Sequence, residues 1–309
     1  RLAPVMLRRD RQLVRDQLPE RIESRLDIPL DAAQQDLHDA ALKNAGMLAQ
    51  IAKRRPLTPA EQNRLLSALQ QARMACDAAG LVDKETEGSP KLDELANLLD
   101  DLCLQSGQKA VIFSQWEQMT RLVEARVRAL GLGCVRLHGG VPTDQRGALI
   151  DRFRDDPATQ VFISTDAGGT GLNLQAASVL INLDIPWNPA VLDQRIARIH
   201  RLGQTQRVQI LLLVAADSYE VRVLELVGGK RHLFDSVIDP NAPEDVAGVS
   251  RKLLELLAPD LAESPAQVVD KTAADAQTEA AEEIAAAATA AATEDVFADA
   301  LVPEPAPDS

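Results

Sequence analysis

The sequence predicts an α/β fold, a parallel sheet with helices on both faces. Three observations point there. From Pro90 onward, short apolar runs of strand length alternate with helical stretches of about 10–15 residues, the rhythm of strands joined by crossover helices. The runs are apolar at successive positions, as in "AVIF" (110–113), which suits strands buried on both faces. One run, Val161-Phe162-Ile163, leads directly into a glycine-crowded loop, 168–171, and sheets of this class bind ligands beyond the carboxyl ends of their strands.

In chain order, residues 1–30 are charged and broken by Pro4, Pro19 and Pro29, and read as a connector with a short extended end. Residues 31–85 form a helical segment, in which "RRPLTPAEQ" separates two helices. Thr58 can cap the second helix, with Pro59 at its first position and Glu61 close to the capping-box place. Leu65, Leu66, Leu69 and Ala72 fall on one face. "DKETEGSP" (83–90) is a loop. The α/β part, 86–239, then reads helix 91–105, strand 109–114, helix 116–130, strand 134–139, helix 142–154 and strand 160–165. After the glycine loop come strand 178–184, helix 189–201, strand 208–214 and helix 217–236. Residues 240–309 are rich in Ala, acid and Pro, with too little apolar area to order them, and are expected to be disordered.

The net charge of −13 sits almost wholly in that tail, where 15 acidic residues face 3 basic ones. The preceding 239 residues are nearly neutral, so the acidic total does not exclude a nucleic-acid partner. Cys76, Cys103 and Cys134 are widely spaced, which suggests neither a disulfide framework nor a zinc site, and no metal site is expected in this chain. No apolar stretch approaches the ~20 residues of a membrane span, and no membrane partner is expected.

Two stretches carry chemistry. In "STDAGGTGLNLQAAS" (164–178), glycines after a strand let backbone N–H groups reach a phosphate. A tight turn needing positive φ is the plain alternative. A dinucleotide fingerprint is a third, though Gly169-Thr-Gly171-Leu-Asn-Leu lacks its last glycine. In "NPAVLDQRIARIHRLGQTQRV" (188–208), Asn188 caps and Pro189 starts a helix of known phase. Leu192, Ile196 and Ile199 then form one stripe, and Gln194, Arg198 and Arg201 another. Paired guanidiniums on one face suit phosphate oxygens, with Arg195 and Arg207 adding positive charge; a merely solvated basic face is the alternative. The 309 residues hold no G-x-x-x-x-G-K-[ST] cradle and no acidic box at a strand end, so what remains is the complementary half of a nucleotide site, arginines that reach across a cleft.

At these residues the chain resembles the second, C-terminal RecA-like lobe of Swi/Snf-type ATPases of helicase superfamily two, bacterial members above all. The resemblance runs from Arg1 to about Ile238 and rests on "APVMLRR", "VIFSQW" (111–116), "LHGGVPTDQRGALIDRF" (137–153), "STDAGGTGLNLQAAS" and, most specifically, "DQRIARIHRLGQTQRV" (193–208). It implies an ATP-dependent translocase on double-stranded DNA, with ATP in an interlobe cleft and Mg2+ held by the first lobe, whose cradle and acidic box these residues lack. The resemblance makes Arg198 and Arg201 arginine fingers and puts Gln194 on the same surface. Gly169 and Gly171 would line the cleft, and Asp166 would couple cleft closure to DNA. Ser114, Gly139 and Thr165 would touch DNA phosphates and Trp187 would lie at the DNA face, or else be a half-buried aromatic beside Pro186. Trp116, His138 and His200 read as structural. The expected partners are duplex DNA, the first lobe and a nucleoprotein target, in a cytoplasmic, nucleoid-associated bacterial protein. On its own the chain is expected to be inactive. The alternative is a non-catalytic scaffold lobe that binds DNA or protein, with the tail as a regulatory segment.

Overall fold

A computed structural model describes residues 18–168 and 172–225. The expected disordered tail, the "APVMLRR" stretch, and Gly169 and Gly171 lie outside the described residues, as does most of helix 217–236. Six parallel strands form one sheet in the order β1-β6-β5-β2-β4-β3. They are β1 (Arg21–Ile28), β2 (Ala110–Phe113), β3 (Gly133–Leu137), β4 (Thr159–Ser164), β5 (Val179–Asn182) and β6 (Val208–Ala215). The five apolar runs of the α/β part are thus all strands. The extended end expected within residues 1–30 is β1, which pairs along its whole length with β6 and so forms one edge of the sheet.

The helices are α1 (Ala32–Arg54), α2 (Pro59–Asp77), α3 (Pro90–Leu99), α4 (Glu117–Ala129), α5 (Thr143–Asp155) and α6 (Pro189–Ile196); α3 continues to Gln105 as a wider π-type turn, and a further helix covers residues 219–225. Successive strand side chains alternate between the two faces, and each face has its own core. Val111, Phe113, Phe162, Leu180, Ile210 and Leu212 pack against α1, α2, α5 and α6. Ala110, Ile112, Val161, Ile163, Val179 and Ile181 pack against α3 and α4. The α1–α2 hairpin is set by local chemistry. The Thr58 hydroxyl accepts from Glu61 N–H (3.3 Å) while the Glu61 carboxylate accepts from Thr58 N–H (2.8 Å), the reciprocal box that starts α2. Leu65, Leu69 and Ala72 are buried and Leu66 is half-buried. No described helix is long and apolar enough to cross a membrane.

The order of strands positions the site. The chain leaves β2 for the edge strand β3, returns to β4, then crosses β2 to reach β5 on its other side. The carboxyl ends of β2, β4 and β5 are therefore where connections diverge, the place where such sheets open a crevice.

Candidate functional site

Asn188 and Pro189 start α6 beside the carboxyl end of β5, the Asn188 side chain accepting from Ala190 N–H at 2.9 Å. Leu192, Ile196 and Ile199 are all buried in the core, Gln194 and Arg201 are exposed, and Arg198 is half-buried. The two faces separate as the spacing predicts. The expected helix 189–201, however, is regular only to Ile196. The reason is tertiary. The Arg198 carbonyl accepts from Leu174 N–H at 3.0 Å instead of from the next helical turn. The Gln204 side chain donates to the carbonyls of Ile199 (3.2 Å), Ala177 (2.9 Å) and Gln175 (3.1 Å). Gly203, at φ +95°, allows the chain to turn there. Arg198 and Arg201 thus stand on tight turns against the segment that leaves the glycine loop, past the end of α6 and not on the longer helix expected to carry them.

Among the described residues neither guanidinium has a hydrogen-bonded or ion-paired partner. Partial burial, and then the positive field of Arg201, lower the pKa of Arg198. Two uncompensated cations close enough to repel are a ready anion site. His200, between them in sequence, faces the Pro19 carbonyl through Nε2 (3.0 Å), in keeping with a structural role.

Arg195 behaves oppositely, and the sequence reading missed it. Read as local positive charge, it is buried and fully neutralised. Its Nε and Nη2 donate to the two oxygens of Asp166 at 2.6 and 2.7 Å, and Nη2 also reaches Asp184 Oδ1 at 2.9 Å. Nη1 donates to the Asp184 carbonyl at 3.0 Å and to Asn182 Oδ1 at 3.3 Å. Burial works against its charge, but Asp184 and Asp166 overcome it and raise its pKa. The signal was present: Leu192, Arg195, Ile196 and Ile199 follow the i, i+3, i+4, i+7 spacing of the buried face. Arg207, read the same way, makes an exposed pair with Glu20 and is not part of the site.

Asp166, just past β4, is thereby clamped to α6. Asp184, just past β5, is buried. Burial alone would raise its pKa, but Arg195, a hydrogen bond from Ser114 and the more distant Arg73 hold it below the carboxylate range. Its Oδ2 also accepts from Gln115 N–H at 2.8 Å. One buried carboxylate and one buried guanidinium thus tie the ends of β2, β4 and β5 together.

The residues expected to meet DNA fall into two groups. Gly139 is exposed, its carbonyl accepting from Arg146 at 3.3 Å, and Trp187 is half-buried, edge-on to Tyr219 with ring centroids 5.7 Å apart. Ser114 and Thr165 are buried, their hydroxyls accepting from Trp116 N–H and Gly168 N–H, each at 3.2 Å. Gly168 packs so tightly that an added Cβ would lie 2.8 Å from the Leu137 carbonyl oxygen. The first glycine of the loop therefore serves close packing onto the end of β3 rather than positive φ.

Residues 90–203 match the helicase conserved C-terminal domain. Over 82% of its length the chain is 31% identical to the SWI/SNF chromatin-remodeling complex subunit snf22 of Schizosaccharomyces pombe, covering 16% of that protein. Over 77% of its length it is 30% identical to the putative ATP-dependent helicase/translocase YwqA of Bacillus subtilis, covering 26% of it. The chain thus spans a minor part of each relative. Among solved structures, the SWI2/SNF2 ATPase core of Sulfolobus solfataricus in complex with dsDNA superposes with a TM-score of 0.65 at 25% identity, over 86% of this chain and 55% of that one. The C-terminal part of the Fun30 ATPase domain, at 23% identity and a TM-score of 0.61, shares the fold over 79% of this chain and 98% of its own. Residues 90–203 thus form a helicase conserved C-terminal domain, and with its parallel sheet and these similarities the chain has the character of a Swi/Snf-type C-terminal lobe of helicase superfamily two.

Proposed function

We propose that this lobe is the second half of a DNA-dependent ATPase motor that translocates on double-stranded DNA, and that Arg198 and Arg201 supply the charge that completes nucleotide hydrolysis. The observation that carries the reading is the pair of adjacent guanidiniums without a carboxylate partner among the described residues. The two buried arginines among the described residues, by contrast, are spent internally: Arg195 on carboxylates and Arg73 on Gln115 and a backbone carbonyl. Two free cations fit a triphosphate, which brings the phosphoryl group that passes to water. The cradle and the magnesium-binding acid belong to a first lobe. Arg198 and Arg201 would stabilise charge on the terminal phosphate as the lobes close, with exposed Gln194 on the same side. Asp166, clamped by Arg195, would hold the glycine loop in register with that turn. Gly139 and Trp187 would face the DNA backbone. Ser114 and Thr165, with buried hydroxyls, would shape that rim rather than touch phosphate through their side chains. The core complex of Sulfolobus solfataricus with dsDNA supports duplex DNA as the partner.

The test uses a polypeptide that also carries the first lobe, with Arg198→Ala and Arg201→Ala made separately. Arginine fingers contribute about 10³–10⁵ in rate in related phosphoryl-transfer enzymes, so each variant should lose well over tenfold in DNA-stimulated ATP turnover while binding duplex DNA normally. Turnover within about twofold of the unsubstituted protein would overturn the assignment, because a loss of that size is too small for a group acting on the transition state.

A further inference from the structure

Arg73 lies on α2, outside the matched helicase domain, yet its charged head is buried at the carboxyl-end rim. Its Nη2 donates to Gln115 Oε1 at 2.7 Å and to the Ile185 carbonyl at 2.9 Å. Its guanidinium carbon lies 5.0 Å from the ring centroid of Trp187 and 5.8 Å from that of Trp116, the two tryptophans of the chain. Burial lowers the pKa of Arg73, opposed mainly by Asp184. Among the described residues no carboxylate pairs with the guanidinium. Its satisfaction comes from an amide, a backbone carbonyl and two aromatic faces, which tolerate a cation only in this geometry. One side chain from the helical hairpin therefore joins the loop after β2, the loop after β5 and both indoles.

We propose that Arg73 is a positioning residue for duplex DNA: it sets the Gln115–Trp116 loop and the Trp187 indole at the rim, so that the α1–α2 hairpin and the DNA-facing loops move as one body. The proposal rests on the reading of this rim as the DNA face and goes beyond it by giving the hairpin a part in DNA affinity. The Arg73 guanidinium is buried against Gln115, the Ile185 carbonyl and the two indoles, so its effect must pass through the residues it holds.

The experiment measures duplex binding by the full chain through fluorescence anisotropy of a labelled DNA, across a salt series. The same proteins are then followed by tryptophan emission and acrylamide quenching. Arg73→Met should weaken binding by about fivefold or more with an unchanged salt slope, since no phosphate contact is lost. Both indoles should become more quenchable, and Arg73→Lys should fall between the two proteins. Circular dichroism confirms the fold of each variant, and Arg73→Lys, which keeps the charge, carries the test if Arg73→Met unfolds. Equal affinity in the folded variants, or a salt slope lowered by about one contact, overturns the proposal. If the unsubstituted chain itself fails to bind duplex, the reading of the rim as a DNA face falls, and this proposal falls with it. Binding by the unsubstituted chain with no shift in the variants overturns the positioning role alone.

Discussion

Replacing Arg195 by Met is the sharpest test of the charged tie beneath the rim. The change keeps most of the apolar stem and deletes the guanidinium. Two carboxylates lose their cation, but they do not suffer equally. The Asp166 side chain is 32% exposed and water can take over its oxygens, whereas the Asp184 side chain is 3% exposed. Asp184 keeps the Gln115 N–H and the Ser114 hydroxyl, yet its charge is left uncompensated in the interior. Breaking a buried pair from one side costs about 3–5 kcal/mol, and the Asp184 half dominates here. Asp166→Asn should therefore cost far less, within about 1–2 kcal/mol, because it leaves Arg195 bound to Asp184. The double variant Arg195→Met with Asp184→Asn removes the orphaned charge and should recover a large part of the loss. Urea unfolding of the full chain followed by circular dichroism reads all of these as midpoint shifts at constant m-value. Arg195→Met costing under about 1 kcal/mol, or Asp166→Asn costing as much as Arg195→Met, would refute the reasoning, since either places the energy outside the buried pair.

Lys91 holds Asp77 (2.8 Å), Glu220 (2.7 Å) and the Leu183 carbonyl (2.6 Å) in the interior, and burial, opposed by Lys91, pushes Asp77 up to about 8. A carboxyl whose folded pKa is raised binds its proton more tightly when folded, so stability should fall as pH rises from about 4 to 8, by no more than about 1.4 kcal/mol per pH unit, and the melting temperature with it. Asp77→Asn should flatten that slope in thermal unfolding at several pH values, and an unchanged slope would count against it. Gly168→Ala drives a Cβ against the Leu137 backbone and should lower stability by about 1–3 kcal/mol in the same urea assay. Arg198→Gln removes a cation that has no described partner and that Arg201 repels, so thermal unfolding should show stability unchanged or slightly raised, within about 0.5 kcal/mol.

What was legible in the sequence was local or periodic. The Thr58–Glu61 box, the Asn188 cap and the buried stripe Leu192, Ile196 and Ile199 follow from neighbours three and four residues apart. The five apolar runs of the α/β part announce strands because both their faces are buried. What was hidden depends on partners distant in sequence. Helix α6 stops at Ile196 because Leu174 captures the Arg198 carbonyl, and no spacing near 198 contains that fact. Ser114 reads as an available hydroxyl until Asp184 closes over it. Arg195 reads as added positive charge because a cation on an apolar stripe has no meaning until its carboxylate partners are placed. That β1 would complete the sheet was equally invisible, since its exposed side carries Arg21, Glu23, Arg25 and Asp27 and resembles a linker.

The edge strand also fixes an order of events. Within the described sheet, β1 comes first in chain order and pairs with β6, which comes last, so Leu26 and Ile28 wait uncovered on that side while everything between the two is synthesised. Closure of this pair is the most non-local step in the lobe and belongs late in its maturation. A nascent or proteolysed chain ending before Val208 leaves that edge open, free to recruit a strand from another molecule.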